Sequence, residues 1–257
     1  MEMDKDTART LNELTGAFYR ANADSFSETR QHAWRGWQTL ATLLAQGGAS
    51  NLKILDIACG NFRLERFLAD ALEGIETEIW AYDNSEELLA MPFHEEHTTL
   101  HVTSVDLVAA LLEGPSSIRG CLSAPRCDVT ACYGFMHHIP GYQHRAALLD
   151  ALVEHTRQYG YIAVSFWQFM NDERLAGKAL ATTELALEEF GPMRLEENDY
   201  LMGWKDTKGT YRYCHHFDML EIERLSEHIG SRVRLLESFD ADGKCQKLNH
   251  YCIWQRL

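Results

Sequence analysis

The sequence predicts an α/β protein built on a doubly wound, mostly parallel sheet of seven strands, with one antiparallel strand and an N-terminal helical extension. The first observation is that strand-like and helix-like patterns alternate along residues 52–166. Such alternation is typical of a parallel sheet with helices on both faces. The second is the pair Asp242-Gly243, a hairpin turn signal between the last two predicted strands. A hairpin at the end of a parallel sheet makes one strand antiparallel.

The first part of the chain, residues 1–50, is predicted to be a helical extension of a main domain at residues 51–257. Residues 7–22 and 32–46 carry spaced apolar side chains that would cover one face of a helix. Two glycines follow the second segment and indicate that the helix stops there.

Short apolar runs and helical spacing divide the main domain into elements. A continuous apolar run suits a strand that is buried on both faces, and apolar residues three or four apart suit a helix. The predicted strands are 52–58, 78–83, 100–102, 128–132, 161–166, 200–204, 210–214, 234–239 and 248–254. The predicted helices are 64–72, 85–91, 106–112, 145–157, 172–190 and 219–229. The strands at 200–204 and 210–214 flank a turn-like stretch and are counted apart from the sheet. The other seven predicted strands form the sheet.

The composition is that of an ordinary globular protein, with 46% hydrophobic and 24% charged residues in 257. The sequence has no run of about 18 apolar residues, the length a membrane span requires. Residues 1–12 are polar and have no apolar signal-peptide core. We therefore expect a cytoplasmic enzyme with no membrane partner.

Charge and cysteine usage restrict the function further. The formal charge of −14 argues against a nucleic-acid substrate, because nucleic-acid binders carry stripes of Lys and Arg that neutralise phosphates. A local basic face inside an acidic average remains open. The seven cysteines have no CxxC pairing, which favours reduced, structurally inert thiols over disulfides or structural zinc.

Three carboxylates follow three successive predicted strands. Asp56 ends the first strand, Asp83 ends the second and Asp106 follows the third. In a doubly wound sheet the ligand lies at the carboxyl ends of the strands. A carboxylate at Asp83 can accept both hydroxyls of a ribose. Asp106 can accept from an adenine amine, and the backbone N–H of Leu107 can donate to the ring.

The glycine content of the loop at 56–61 distinguishes between ligands. Gly60 lets the backbone approach a ligand, but Gly-x-Gly-x-x-Gly spacing is absent, and Ala58 and Phe62 stand where glycines are common. This counts against a pyrophosphate ligand, whereas adenosine joined to an amino acid fits. The alternative for the loop is an ordinary strand-to-helix turn. For Asp83 or Asp106 taken alone, a helix N-cap is an equally good interpretation.

Adenosine joined to an amino acid describes S-adenosyl-L-methionine, and residues 53–166 resemble the class I, Rossmann-like methyltransferases that use it. The motifs are Asp56-Ile57-Ala58-Cys59-Gly60-Asn61, Tyr82-Asp83-Asn84-Ser85, Asp106-Leu107 and residues 127–140, which end in His137-His138-Ile139-Pro140. The resemblance implies that Asp83 holds the ribose, Asp106 the adenine and the Gly60 loop the methionine end. The cofactor residues are then Arg30, Asp56, Ala58, Cys59, Gly60, Asn61, Asp83, Asn84, Asp106, Leu107, Tyr133, Gly134 and His138.

Both ends of the chain are similar to the eukaryotic tRNA wobble-uridine carboxymethyl methyltransferases. That family has Phe-Ser-x-Thr-Arg and tryptophan before its first strand, then Trp-Lys or Trp-His followed by Arg-Tyr-Tyr-His. The matching segments are 22–30 with Trp34 and Trp37, and 199–205 with 211–217 and Glu221. The resemblance implies a carboxylate of a modified tRNA wobble uridine as acceptor. It also implies that Arg30 reaches the cofactor or that carboxylate, which a guanidinium grips with two parallel bonds. A surface ion pair is the alternative for Arg30.

Methyl transfer from a sulfonium is an in-line displacement, in which the protein mainly aligns the reactants. A carboxylate acceptor needs no general base, whereas an amine or phenol does. Histidine suits that role because its pKa lies near neutrality. Candidate bases are His137, His138, His215 and His216, with Tyr133 nearby, and we assign catalytic roles to Arg30, His138 and His215. A packing or hydrogen-bonding role is the alternative for each histidine. No third ligand has metal-site spacing, so no metal is assigned.

The leading hypothesis is a methyltransferase that acts on tRNA, with a small metabolite as the other acceptor class. A non-catalytic partner protein with the same fold is the second class, and a nicotinamide dehydrogenase, disfavoured by the glycine spacing, is the third. The sequence gives neither the acceptor, nor the oligomeric state, nor the need for a small activating subunit.

Overall fold

The computed structural model of the chain describes residues 3–29, 32–204 and 207–257. The helices are α1 (Lys5–Glu28), α2 (Trp37–Gln46), α3 (Arg63–Ala71), α4 (Glu86–Leu89), α5 (Leu107–Glu113), α6 (Pro115–Cys121), α7 (Tyr142–His155), α8 (Glu173–Phe190) and α9 (Met219–Ile229). The strands are β1 (Asn51–Ile57), β2 (Glu76–Asp83), β3 (Thr98–Ser104), β4 (Cys127–Cys132), β5 (Thr156–Trp167), β6 (Asp199–Trp204), β7 (Thr207–His215), β8 (Val233–Ala241) and β9 (Asn249–Arg256).

Seven strands form one sheet in the order β3-β2-β1-β4-β5-β9-β8. The pairs from β3 to β5 are parallel, and β9 is antiparallel to both of its neighbours. Six strands therefore point one way and β9 the other. The predicted fold class is confirmed, and the antiparallel strand is the one that follows the turn at Asp242-Gly243.

Helices cover both faces of the sheet because the side chains of a strand alternate between its faces. In β1, Leu55 and Ile57 pack into the core that α5, α7 and α9 cover, whereas Leu52 and Ile54 pack into the core that α2 and α3 cover. The two apolar cores cover the faces of the sheet. The carboxyl ends of its central strands lie outside these cores and can hold a ligand.

The remaining two strands, β6 and β7, form a separate antiparallel hairpin. The helix α1 packs against β7 and α5, and α8 packs against β6. Thr15 accepts at its hydroxyl from the backbone N–H of Tyr213 at 3.0 Å, and the indole of Trp204 donates to Ser25 at 2.9 Å. These contacts fix α1 and the hairpin over the carboxyl edge of the sheet.

Several helices differ from the sequence-based prediction, and α1, expected at 7–22, continues to Glu28. The helix expected at 32–46 begins at Trp37, because the backbone N–H of Arg35 donates to Asp242 at 2.8 Å instead of joining a helical ladder. The short α6 was not predicted, since it has few apolar residues and is recognisable mainly by Pro115 in its first turn. Among the described residues, no helix combines the length and apolar character that a membrane span requires.

Candidate functional site

A cavity of about 790 Å³ opens at the carboxyl edge of β1, β2 and β4, under α1 and the β6–β7 hairpin. This volume is in the upper part of the range for small-molecule sites, which is about 300–1,000 Å³. The predicted cofactor residues that the structure describes all line it: Asp56, Ala58, Cys59, Gly60, Asn61, Asp83, Asn84, Asp106, Leu107, Tyr133, Gly134 and His138. Arg30 lies outside the described residues.

The loop after β1 has a backbone that bends back on itself. Ala58, Gly60 and Phe62 all have φ values near +60°, at 61°, 59° and 61°. Such a conformation costs about 1–2 kcal/mol for a residue with a side chain. The alanine at position 58 therefore keeps the left-handed conformation that a glycine would take more easily. A Cβ at Gly60 would meet no atom within 4 Å, so this part of the loop faces open cavity.

Asp83 joins the loop to the end of β2. One of its carboxylate oxygens accepts from the N–H of Gly60 and the other from the N–H of Ser85, both at 2.9 Å. Burial raises the pKa of Asp83, and these amide donors oppose the rise. A carboxylate oxygen has two lone pairs, so Asp83 can fix the loop and still accept from a ligand hydroxyl.

Asp106 is both a helix cap and a wall of the cavity. It is the N-cap of α5, with one oxygen accepting from the N–H of Ala109 at 2.8 Å. Its other oxygen accepts from the amide of Asn12 at 2.9 Å, which ties α1 to this strand end. The N-cap alternative therefore applies to Asp106, and it does not exclude a ligand contact.

A second acidic group lies behind the loop. Asp56 lines the cavity, and Glu65 in the first turn of α3 is fully buried beside it. Burial and the facing carboxyl group raise the pKa of Asp56 well above its ordinary value. Burial also raises the pKa of Glu65, to about 7. Sequence reasoning missed Glu65, because a Glu in a helical first turn is usually exposed.

His138 is held neutral in a defined orientation. Its Nδ1 lies 2.7 Å from the carbonyl oxygen of Tyr213, and its Nε2 lies 2.8 Å from the hydroxyl of Tyr19. A carbonyl only accepts, so Nδ1 carries the proton and Nε2 accepts from the tyrosine. Burial, with the nearby charge of Arg212, lowers the pKa of His138 to about 3. His138 is therefore unsuited to take a proton near pH 7.

His215 does not line the cavity. Its Nδ1 lies 2.7 Å from Asp199 and its Nε2 lies 2.8 Å from Glu221, and the ring is 2% exposed. Glu221 also accepts from the buried Arg145 at 2.8 Å. This network ties the hairpin to α9 and α7, which favours a structural role for His215 over the catalytic one expected from its motif.

A potential metal-binding group also lies here, made by His137, His138 and Cys214, whose donor atoms are within 4.8 Å of one another. A metal ion would have to displace one of the two hydrogen bonds of His138. It would also meet the guanidinium of Arg212, which interacts with the Cys214 thiol. These contacts disfavour a cation, and we assign no metal.

The half of the cavity away from the strand ends is formed by aromatic side chains around Arg212. Its guanidinium lies 4.8 Å from the ring centre of Phe18 and 5.8 Å from those of Trp167 and Trp204. The side chain is 4% exposed, and Tyr19 is a further neighbour. Arg212 and Trp204 belong to the segments that carried the tRNA-enzyme resemblance, so the sequence offered a signal for them. Tyr19 had none.

The segment before α2 closes one side of the cavity. Trp34 reaches Gly134 so closely that a Cβ there would lie 2.9 Å from the indole. The guanidinium of Arg63 lies 5.0 Å and 5.3 Å from the ring centres of Trp34 and Trp37, which is cation–π geometry. Trp37 is buried in a core, and both tryptophans also line the cavity.

Comparisons with known proteins agree with the fold. No protein-family model and no curated protein matches the chain. A structure of a SAM-dependent methyltransferase from Methanosarcina mazei has a TM-score of 0.59 at 16% identity, over 84% of this chain and 97% of that one. A S-adenosylmethionine-dependent methyltransferase from Clostridium acetobutylicum has a TM-score of 0.57 at 12% identity, over 93% and 98%.

A third structure contains two bound small molecules. It is the 1,6-didemethyltoxoflavin-N1-methyltransferase of Burkholderia thailandensis with bound 1,6-didemethyltoxoflavin and S-adenosylhomocysteine. Its TM-score is 0.56 at 13% identity, over 98% of this chain and 88% of that one. The chain thus has the fold of class I SAM-dependent methyltransferases.

Proposed function

We propose that the chain is a methyltransferase that uses S-adenosyl-L-methionine. The observation that carries the proposal is the arrangement of Asp56, Asp83 and Asp106, which line one cavity at three successive strand ends of a methyltransferase-like sheet.

The residues present fit this cofactor. Asp83 would accept the ribose hydroxyls, and Asp106 with the N–H of Leu107 would hold the adenine. The open face at Gly60, together with Asp56, would take the methionine end. The cofactor supplies an activated methyl group, so the protein's task is to align the acceptor and to keep water out.

For the acceptor we propose an anionic group, a carboxylate, that Arg212 binds. A guanidinium is a strong partner for a carboxylate, and the aromatic rings around it exclude water. A carboxylate needs no general base, which agrees with the low pKa of His138, about 3. The product would be a methyl ester.

A small-molecule carboxylate suits the acidic surface better than tRNA does, because the formal charge of −14 repels a polyanion. A modified wobble uridine is the second candidate. It is favoured by the position of Trp204 and Arg212 at the cavity, since both belong to the segments that resemble the tRNA enzymes.

Calorimetric titration with S-adenosylmethionine tests the cofactor assignment. We expect a single binding site, weakened in Asp83→Asn and unchanged in Asp70→Asn, which removes an exposed carboxylate from α3. No binding at millimolar ligand would contradict the proposal. A thermal-shift comparison with a nicotinamide dinucleotide tests the dehydrogenase alternative, which predicts stabilisation by the dinucleotide instead.

The acceptor is tested with methyl-labelled cofactor and two substrate pools: tRNA freed of existing esters by mild base, and a low-molecular-weight extract of carboxylic acids. We expect the label in the second pool, released as methanol by base, and lost in Arg212→Gln but not in the exposed-site control Arg119→Gln. Base-stable label would contradict the carboxylate acceptor. Label in the tRNA pool would favour the second candidate.

A further inference from the structure

The carboxyl groups of Asp56 and Glu65 form a buried acid pair under the cofactor loop. Asp56 is 3% exposed and lines the cavity, whereas Glu65 is 1% exposed and lies behind it. Apart from its own backbone N–H, the partner of the Glu65 carboxyl group is the carboxyl group of Asp56, and no other side chain of the described residues donates to it. Two neighbouring buried carboxylates cannot both ionise without a large cost. Without a cation beside it, the pair therefore keeps one proton.

The groups around the pair offset its negative charge only in part. Asp83 adds a third carboxyl group from the neighbouring strand. Arg66 is the cation that favours ionisation of Glu65, but its guanidinium donates to the carbonyl oxygens of Asn61 and Pro92, at 2.6 Å and 2.7 Å. The other titratable neighbours of the pair are neutral, because burial raises the pKa of each: Cys59, Cys132 and Tyr133.

We propose that this acid pair selects the positively charged sulfonium cofactor over its neutral product, and that cofactor binding expels the shared proton. The inference rests on the proposed function. S-adenosylmethionine carries one net positive charge, from its sulfonium, ammonium and carboxylate, whereas S-adenosylhomocysteine lacks the sulfonium and is net neutral. Both ligands bring an ammonium and a carboxylate whose charges cancel, so only the sulfonium of the cofactor adds net positive charge near Asp56, and that charge stabilises the doubly ionised pair. The pair changes from one negative charge to two, the ligand adds one positive charge, and the proton passes to solvent.

Glu65 acts through Asp56 and so determines specificity without touching the ligand. With a glutamine at position 65, Asp56 would ionise alone and no shared proton would remain to be released. Because the pair holds its proton at and below neutral pH, the affinity for S-adenosylmethionine should rise with pH, by up to about tenfold per unit. The affinity for S-adenosylhomocysteine should change much less.

The test is calorimetric titration of the whole chain with each ligand between about pH 5.5 and 7, where the ligand α-amino group stays protonated. Titrations in two buffers of different ionisation enthalpy give the number of protons released. Wild-type protein is compared with Glu65→Gln and with Asp70→Asn, an exposed carboxylate on the same helix. Glu65→Met is a second neutral variant at the buried site, for use if the glutamine variant folds poorly.

Close to one proton released with S-adenosylmethionine, few with S-adenosylhomocysteine, and loss of the release in the Glu65 variants would support the inference. In those variants the affinity for S-adenosylmethionine should change less than about twofold across the range. If S-adenosylmethionine binds without releasing protons, or both ligands release the same number, the inference fails while the proposed function stands. If neither ligand binds, the proposed function fails and the inference with it.

Discussion

Replacing Glu65 by glutamine should change how the stability of the protein depends on pH. Burial raises the pKa of Glu65 from an ordinary 4.5 to about 7. Between these values the folded chain keeps a proton that the unfolded chain has lost. The free energy of unfolding therefore falls as pH rises through this window, and the loss is complete above about pH 7.

The size of the effect follows from the two pKa values. A single group with these values costs the wild-type protein about 1 kcal/mol at pH 5 and about 3 kcal/mol at pH 8. Glutamine does not ionise, so its burial penalty is the same at both pH values. The free energy of unfolding of Glu65→Gln, measured relative to wild type, should thus rise by about 2–3 kcal/mol from pH 5 to pH 8.

Urea denaturation at the two pH values measures this difference, with the exposed-site variant Asp70→Asn as control. We expect the control curve to run parallel to wild type within about 0.5 kcal/mol. A parallel curve for Glu65→Gln as well would refute the reasoning, because it would mean that Glu65 ionises in the folded state as easily as in the unfolded state.

Four further predictions follow from the site. Asp83→Ala should weaken cofactor binding by about 1–3 kcal/mol through loss of a charged acceptor, as measured by calorimetry; unchanged affinity would mean that Asp83, which is not the N-cap of α4 because Ser85 is, only fixes the loop after β1. His138 should stay neutral with its proton on Nδ1 from about pH 5 to 9 in nitrogen NMR, since burial lowers its pKa to about 3; a midpoint near 6.5 would contradict this. His215→Gln should lower the unfolding free energy by about 3–5 kcal/mol, because it breaks a buried network, and should leave cofactor affinity intact. Unchanged stability with weakened cofactor binding would instead support a role for His215 in the active site. Gly134→Ala should lower both the melting temperature and cofactor affinity, since its φ is 72° and Trp34 stands 2.9 Å from the added methyl; wild-type values would argue against that close contact.

Much of the fold could be predicted because its signals are local. The buried runs in β1, β4 and β5 and the turn at Asp242-Gly243 each follow from a few neighbouring residues, and together they specify a parallel sheet with one antiparallel strand. The boundary of α2 could not be predicted, since it depends on a hydrogen bond from Arg35 to a residue distant in sequence.

The same distinction applies to the site. Asp56, Asp83 and Asp106 could be found because strand ends of a parallel sheet meet at one edge. The roles of the histidines could not, because they depend on partners that only the fold brings close: Tyr19, 119 positions from His138, and Asp199, 16 positions from His215 on the paired strand. A side chain's protonation state is set by burial and by such partners, and neither is visible in a single motif.

The central claim is that the cavity at the ends of β1, β2 and β3 binds S-adenosyl-L-methionine through Asp83. The most direct measurement is calorimetric titration of the purified chain with this cofactor, repeated on Asp83→Ala. We expect saturable binding at one site and a loss of affinity of about 5- to 150-fold in the variant, which corresponds to about 1–3 kcal/mol. The absence of binding at millimolar cofactor, in protein whose folding is verified by cooperative unfolding, would contradict it.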